Sequence, residues 1–428
     1  NKNIESNGFL IYYGSVLSQG GKMRFYFIGI LSLVGFLWAQ EETLEQALKY
    51  LEEERYTEGI TLLTHCAEKG NAQAQLHLAE CYEDGIGVEI NNKTAFHWYH
   101  QAAKNNLPEA QYQVGVSYQE GTGVEINLPL ALEWFKKGAT LKHSLSEYAL
   151  GLCYAQGVGI PPDFAQSFFW FEKAANQGLA EAQFQTGICY LMAQGVPKEE
   201  NKGIEWLTKA GDQDLDEALL ALGNYYYEKT DDPTLDLLPK AIFWYQKSAE
   251  SGSAQGQYEL ALFYLEGEGV IRDPIRAFQL LQQSAENDHS DALNQLGLCY
   301  LEGTGVPQSK IDAFRCFQKA EELGSIDSAY YLGQCYLQGY GTVKNPETAV
   351  SWFKKAAEEA YDLAWYALGL CYEDGLGVEK NWVLAEEYFK KAAEAGVELA
   401  EEKLKNKKNQ KIEEILEEAL KKEKGEDF

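Results

Sequence analysis

Methionine occurs only twice in this 428-residue chain and proline only ten times, so neither a proline-rich linker nor a collagen-like rod describes it. Basic residues are also short: 37 Lys and Arg stand against 65 Asp and Glu, a formal charge of -28. That deficit argues against a nucleic-acid binder, which needs a positive field to displace counterions from phosphate. Past residue 40 no stretch is apolar enough to cross a bilayer, which takes about 20 consecutive apolar residues. What is present is 45% apolar residues with 27 Tyr, 39 Gly and 9 Trp, too much for disorder and biased enough to suggest a recurring unit. At this length one hydrophobic core stops growing, near roughly 250–300 residues, so the chain either splits into domains or repeats.

The opening segment reads as processing signal. Met23 and Arg24 precede an apolar run over residues 25–37, then Trp38-Ala39-Gln40. A basic start, a short apolar stretch and a small residue before polar sequence form a secretory signal peptide over 23–39. Residues 1–22 lie ahead of that initiator and read as non-native upstream translation. The mature chain is expected from about Gln40, exported to the periplasm or beyond, with no membrane insertion after cleavage.

A repeat dominates the remainder. The tyrosines Tyr82, Tyr118, Tyr154, Tyr190, Tyr226, Tyr264, Tyr300, Tyr336 and Tyr372 recur every 36 residues, once 38, the two extra falling in the TDDPTLDLLP stretch. Sixteen residues after most of them stands a large side chain such as Trp98, Trp134, Trp170 or Trp352. Within AWYALGLCYEDG, Ala364, Leu368, Cys371 and Tyr372 keep the i, i+4, i+7, i+8 spacing of one buried helical stripe. A glycine three residues past the tyrosine (Gly85, Gly121, Gly375) suits the left-handed helix cap. Asp163, Asn345 or Asn381 then precede a second helix whose apolar face reads Ala349, Trp352, Phe353, Ala356 and Ala357. Between units the turn carries Gly70, Asn106, Gly178 or Asp288, with Lys142 and Ala360 as exceptions to that chemistry. Small residues such as Gly115, Gly297 and Gly333 let the paired helices close, and truncating a central tryptophan such as Trp170 is expected to cost about 3–5 kcal/mol.

Two helices of this length cannot bury their apolar faces alone, so nine units over 71–397 must stack into an α-solenoid. Residues 40–70 read as an N-terminal capping helix pair. Residues 398–428 read as a charged C-terminal helix with apolar Ile412, Ile415, Leu416, Ala419 and Leu420, either a cap or a partner-binding helix.

The pattern AxxxLGxxYxxGxGV followed by KAxxWxxKAAxxG, as in EAQYQVGVSYQEGTGVEINLPLALEWFKKGA, resembles the Sel-one-like repeat, a relative of the tetratricopeptide repeat. The resemblance implies an all-α, right-handed superhelix of antiparallel helix pairs that acts as an adaptor between proteins. It implies first helices lining a concave groove. Two sets of variable positions would then face a protein or peptide partner. Five residues before the tyrosine stand His77, Gln113, Gln185, Glu259, Gln295 and Tyr331, with Ala149, Ala221 and Ala367. Two residues after it stand Asp84, Glu120, Glu228, Glu266, Glu302 and Asp374, with Gln156, Met192 and Gln338. Such a groove would favour a basic, extended partner; the plainer alternative is a solvated acidic surface.

Eight cysteines remain in the mature chain. Cys81, Cys153, Cys189, Cys299, Cys335 and Cys371 share one slot a full unit apart, too far for disulfides that need Cα atoms within about 7 Å. The pairings left open are Cys66–Cys81 and Cys299–Cys316. An exported cysteine-rich branch of the family carries a disulfide in each unit, and some members are labelled β-lactamases or penicillin binders. This chain lacks that spacing, since Ala74 stands where a partner for Cys66 would fall.

Catalytic signals are weak. Ser351-Trp352-Phe353-Lys354 has the letters of a serine nucleophile with its lysine base, but Trp352 is the repeat tryptophan and no KTG or SDN element accompanies it. His97 and His100 lie three apart around Trp98 with no third ligand in view. The glycine loops follow helices rather than strands, so they do not resemble nucleotide cradles. The expectation is a binding protein with no catalytic residue, metal or cofactor; the alternative, implied only by the cysteine-rich branch, is a β-lactamase or a penicillin- or peptidoglycan-binding protein.

Overall fold

The computed structural model describes residues 43–230 and 237–423; the proposed signal segment, the residues ahead of it and part of the TDDPTLDLLP stretch lie outside the described residues. All regular structure among the described residues is α-helical. The chain divides into two compact units, Asn1–Trp206 and Leu207–Phe428. In unit 1 the helices are α1 (residues 43–52), α2 (Tyr56–Glu68), α3 (Ala72–Asp84), α4 (Asn92–Lys104), α5 (Pro108–Glu120), α6 (Leu128–Thr140), α7 (Ser144–Gln156), α8 (Phe164–Asn176) and α9 (Ala180–Met192). The division falls within α10 (Glu200–Gly211). Unit 2 continues with α11 (Asp216–Glu228), α12 (Leu238–Glu250), α13 (Ala254–Glu266), α14 (Pro274–Glu286), α15 (Ser290–Glu302), α16 (Lys310–Glu322), α17 (Ile326–Gln338), α18 (Pro346–Glu358), α19 (Asp362–Asp374), α20 (Trp382–Glu394) and α21 (Glu398–Glu423). Each unit is thus a row of antiparallel hairpins, the α-solenoid architecture of tetratricopeptide-like proteins.

One hairpin explains the rest. In α5 the apolar stripe ends at Tyr118, and Gly121 takes φ 80°, a conformation in which a side chain would strain the backbone. The chain then returns so that the Asn127 amide donates to the Tyr118 carbonyl at 2.8 Å. Asn127 Oδ1 accepts from the Leu130 amide and starts α6. The same capping is made by Asn91, Asp163, Asp273, Ser309, Asn345 and Asn381 at the heads of the other second helices.

Where first and second helices cross, a phenylalanine of the second lies on a glycine of the first. A Cβ on Gly115 would meet the Phe135 ring at 2.4 Å, and one on Gly333 would meet Phe353 at 2.5 Å. Phe135, Phe317, Phe353 and Phe389 are each almost completely buried by this contact. The helix reading of the repeat holds at side-chain level. Ala364, Leu368 and Cys371 are buried on α19, and Ala349, Phe353 and Ala356 on α18.

The turn exceptions behave as glycine would: Lys142 and Ala360 take φ 61° despite their side chains. Stacking of neighbouring hairpins imposes that geometry over local preference.

At the N-terminal end, Ala47 of α1 packs with Leu63, Cys66 and Ala67 of α2. At the other end, Ala400 and Leu404 of α21 pack against Phe389, while Lys403 pairs with Glu373 at 2.7 Å. Farther along α21, Ile412, Ile415 and Leu416 are exposed; the side chains of Ala419 and Leu420 lie outside the described residues.

Neither cysteine pairing left open by the spacing is formed. All eight cysteines are free thiols. Cys66 and Cys81 are both packing atoms of one apolar cluster, as are Cys299 and Cys316 of another. Burial pushes the Cys153, Cys299 and Cys316 thiols up to about 11, so they stay protonated and unreactive near neutrality.

Candidate binding face

The nine first helices of the repeats (α3, α5, α7, α9, α11, α13, α15, α17 and α19) contain no lysine or arginine, and each carries at least one carboxylate. The cations sit instead on second helices and loops, where many are already engaged. Lys137 Nζ lies 3.6 Å from the Trp134 ring centre, Lys173 4.6 Å from that of Trp170, and Lys319 pairs with Asp288 at 2.7 Å. In the nine hairpins the helical lysines and arginines are therefore confined to second helices, whereas carboxylates occur on both kinds.

Positions two residues after the repeat tyrosine are exposed: Asp84, Glu120, Glu228, Glu266, Glu302 and Asp374 each end a first helix just before its cap. Their carboxylates are free for solvent or a partner, apart from a 3.4 Å hydrogen bond that Glu302 accepts from Thr304. Positions five residues before the tyrosine are half-buried. His77 Nδ1 lies 2.8 Å from Glu80, Glu259 accepts from Gln255 Nε2 at 2.6 Å, and Gln113, Gln185 and Gln295 lie on the same stripe. Tyr331 departs from the rest. Its ring lies over Phe317, with centres 4.9 Å apart and planes 17° from parallel.

The position one residue earlier was missed in reading the sequence, and it is aromatic in much of the array. Tyr112, Tyr148, Tyr330 and Tyr366 each lean on the phenylalanine of their hairpin, at 5.9, 5.7, 5.8 and 5.7 Å. Its signal is a tyrosine six residues before the repeat tyrosine, which helical periodicity alone assigns to the buried stripe. In unit 2 this row meets a second missed feature, the carboxylates Asp291, Asp327 and Asp362 one repeat apart. Burial, followed by the fields of Asp291 and Asp362, raises the Asp327 carboxyl above its ordinary range. Burial and then Asp291, against the pull of Gln255, raise Glu259 as well.

In unit 1 the face opens into a cleft of about 260 Å³ between α5 and α7. Val116, Phe135, Leu152, Cys153 and Val158 form its apolar lining, Ala149 stands at one wall, and Gln119, Glu120 and Gln156 form the rim. Of the sequence-derived positions, the cleft brings together Glu120, Ala149 and Gln156.

The candidate catalytic letters do not assemble into a pair. The Ser351 hydroxyl donates to the Glu347 carbonyl at 3.2 Å, a turn of its own helix, and both Ser351 and Lys354 are exposed. His100 stacks on Phe96 and meets the Trp134 ring edge-on, while His97 meets Trp98. Burial and neighbouring cations push His100 below its ordinary range. Among the described residues no three His, Cys, Asp or Glu side chains converge as a metal site, and no helix is long and apolar enough to cross a membrane.

Nine consecutive matches to the Sel1 repeat cover residues 72–107, 108–143, 144–179, 180–215, 216–253, 254–289, 290–325, 326–361 and 363–397. The chain belongs to the Sel1 repeat family. Such repeats typically mediate protein–protein interaction, and scaffolds built from them are generally non-catalytic. The chain is similar in structure to a protective antigen of uropathogenic Escherichia coli strains displaying an SLR fold, at 29% identity and TM-score 0.68, over 87% of this chain and 80% of that one. It also resembles a Sel1 repeat protein from Oxalobacter formigenes at 26% identity and TM-score 0.40, over 84% and 93%. No curated protein matches it.

Proposed function

We propose that this Sel1 repeat protein is an exported, non-enzymatic scaffold that binds a basic or extended protein partner along its first-helix face. The observation that carries the reading is the absence of any lysine or arginine from nine successive first helices, each of which carries acid. A partner bearing cations would be steered to that face, with association that weakens as salt screens the field. Exposed carboxylates at the helix ends supply the charge, and the tyrosine row supplies rigid rings at low entropic cost. The signal-like segment 23–39 supports export.

Biolayer interferometry of the purified chain against a twelve-residue Lys/Gly/Ser peptide and its Glu counterpart tests the face. The lysine peptide should bind at least tenfold tighter at low salt and lose that advantage in Glu266→Gln/Glu302→Gln/Asp374→Asn. Equal binding of the two peptides would remove the acidic-face reading. Export is read separately, from cleavage after Ala39 in a fractionated bacterial host.

A further inference from the structure

The cleft between α5 and α7 has a filled counterpart in the same molecule. Repeats 7 and 8 place Phe317 where repeats 2 and 3 place Phe135, and Tyr331 where they place Ala149. Leu298, Leu301 and Tyr340 replace Val116, Gln119 and Val158. There the Tyr331 ring lies nearly parallel on Phe317 at 4.9 Å. With Ala149 the equivalent ring is missing; Phe135 is instead covered from its own hairpin by Tyr112, whose counterpart in repeat 7 is Asn294, and the cleft opens over Ala149 beside these rings. Its volume of about 260 Å³ suits one large side chain and falls short of the roughly 300 Å³ at which small-molecule sites begin.

We propose that this cleft seats one aromatic side chain of an extended partner over Ala149, at the position that Tyr331 fills in repeat 8. The inference rests on the partner-binding reading above and names the residue such a partner must contribute. The rim fits a peptide around that anchor. Neither Gln119 nor Gln156 makes a side-chain hydrogen bond among the described residues, so both carboxamides are free to pair with peptide N–H and C=O groups. Glu120, exposed and without a cationic partner there, faces a lysine or arginine beside the anchor. Buried aromatic anchors ringed by polar contacts are the usual centres of binding energy.

The test uses the full chain and fluorescein-labelled nonapeptides Gly-Ser-Lys-X-Lys-Gly-Ser-Gly-Ser, with X as Trp, Tyr or Ala, read by fluorescence anisotropy. The Trp and Tyr peptides should bind at least tenfold tighter than the Ala peptide. Ala149→Tyr, which installs the plug found in repeat 8, should abolish that advantage and leave binding of the Ala peptide unchanged. Tyr331→Ala should open a second seat and raise the stoichiometry of the Trp peptide from one toward two. Equal binding of the three peptides to wild type in a salt-sensitive manner would overturn the cleft and keep the acidic face. Failure of every peptide to bind would overturn both. Should Ala149→Tyr not fold, an undiminished Trp advantage in Ala149→Leu would equally refute the assignment.

Discussion

Repeats 2 and 3 of unit 1 and repeats 7 and 8 of unit 2 are built from the same pattern and present opposite surfaces. In the first pair, Ala149 leaves Phe135 bordering a cleft. In the second, Tyr331 closes over Phe317. The backbone cannot produce this difference, because helix lengths, glycine C-caps and crossing glycines agree between the two. A few side chains per repeat, Ala149 or Tyr331 foremost, decide whether the face is open or shut. Recognition in such an array is therefore set at positions the repeat leaves unconstrained.

The contrast can be tested by substitution at equivalent sites. The largest effect is expected from Phe317→Ala, near 5 kcal/mol, because the stacked Tyr331 loses its support along with the buried ring. Phe135→Ala should cost nearer 3 kcal/mol, since the adjacent cleft gives Tyr112 room to relax into the space left. Urea unfolding of both variants checks the order, and equal losses would break the comparison. Next come the crossing glycines. Gly297→Ala places a Cβ 2.5 Å from Phe317, which Tyr331 holds in place, and should cost about 3 kcal/mol. Gly115→Ala makes the same clash at 2.4 Å with Phe135, which has room to retreat into the cleft, so about 1 kcal/mol is expected.

A smaller effect is read through pH. Seven residues before the repeat tyrosine, Gln75, Gln111 and Gln183 donate Nε2 to the carbonyls of Ala67, Ala103 and Ala175. Repeat 3 of unit 1 places Glu147 there, buried and accepting from Gln177 at 2.5 Å. Burial raises its carboxyl against the pull of Gln177, Lys173 and Lys142. The folded chain therefore holds a proton that the unfolded chain releases, and this contribution to stability falls as pH rises from the ordinary carboxylate range through the raised value. Glu147→Gln should stabilise unit 1 by about 1 kcal/mol at neutral pH and flatten that slope, checked by thermal melts across mildly acidic pH. The smallest expected change is common to both units. Lys142→Gly and Ala360→Gly each relieve a left-handed turn and should raise stability by up to about 1 kcal/mol, seen as a small gain in Tm.

The sequence was legible wherever a residue type has one physical use. Asn127 and Asp163 announced second helices because their side chains cap exposed amides, and Gly121 announced a helix end because its φ is positive. The exposed carboxylates Glu266 and Glu302 could be placed from the same helical period. Tyrosine is less decisive. Tyr112 and Tyr330 share one register position, yet one lines an open cleft and the other packs among Tyr331, Phe353 and Tyr361. The cysteines misled for a related reason: nearness in sequence to a shared cluster does not orient two thiols into a bond, and Cys66 and Cys81 simply pack.

Chain order alone determined the hairpins, their number and the sorting of charge, because periodicity, caps and composition act over a few residues at a time. Tertiary packing decided which rings are covered, which carboxyls are raised and where a cavity remains. Those properties depend on whether a side chain one repeat away fills the space beside a phenylalanine, and no local pattern carries that information.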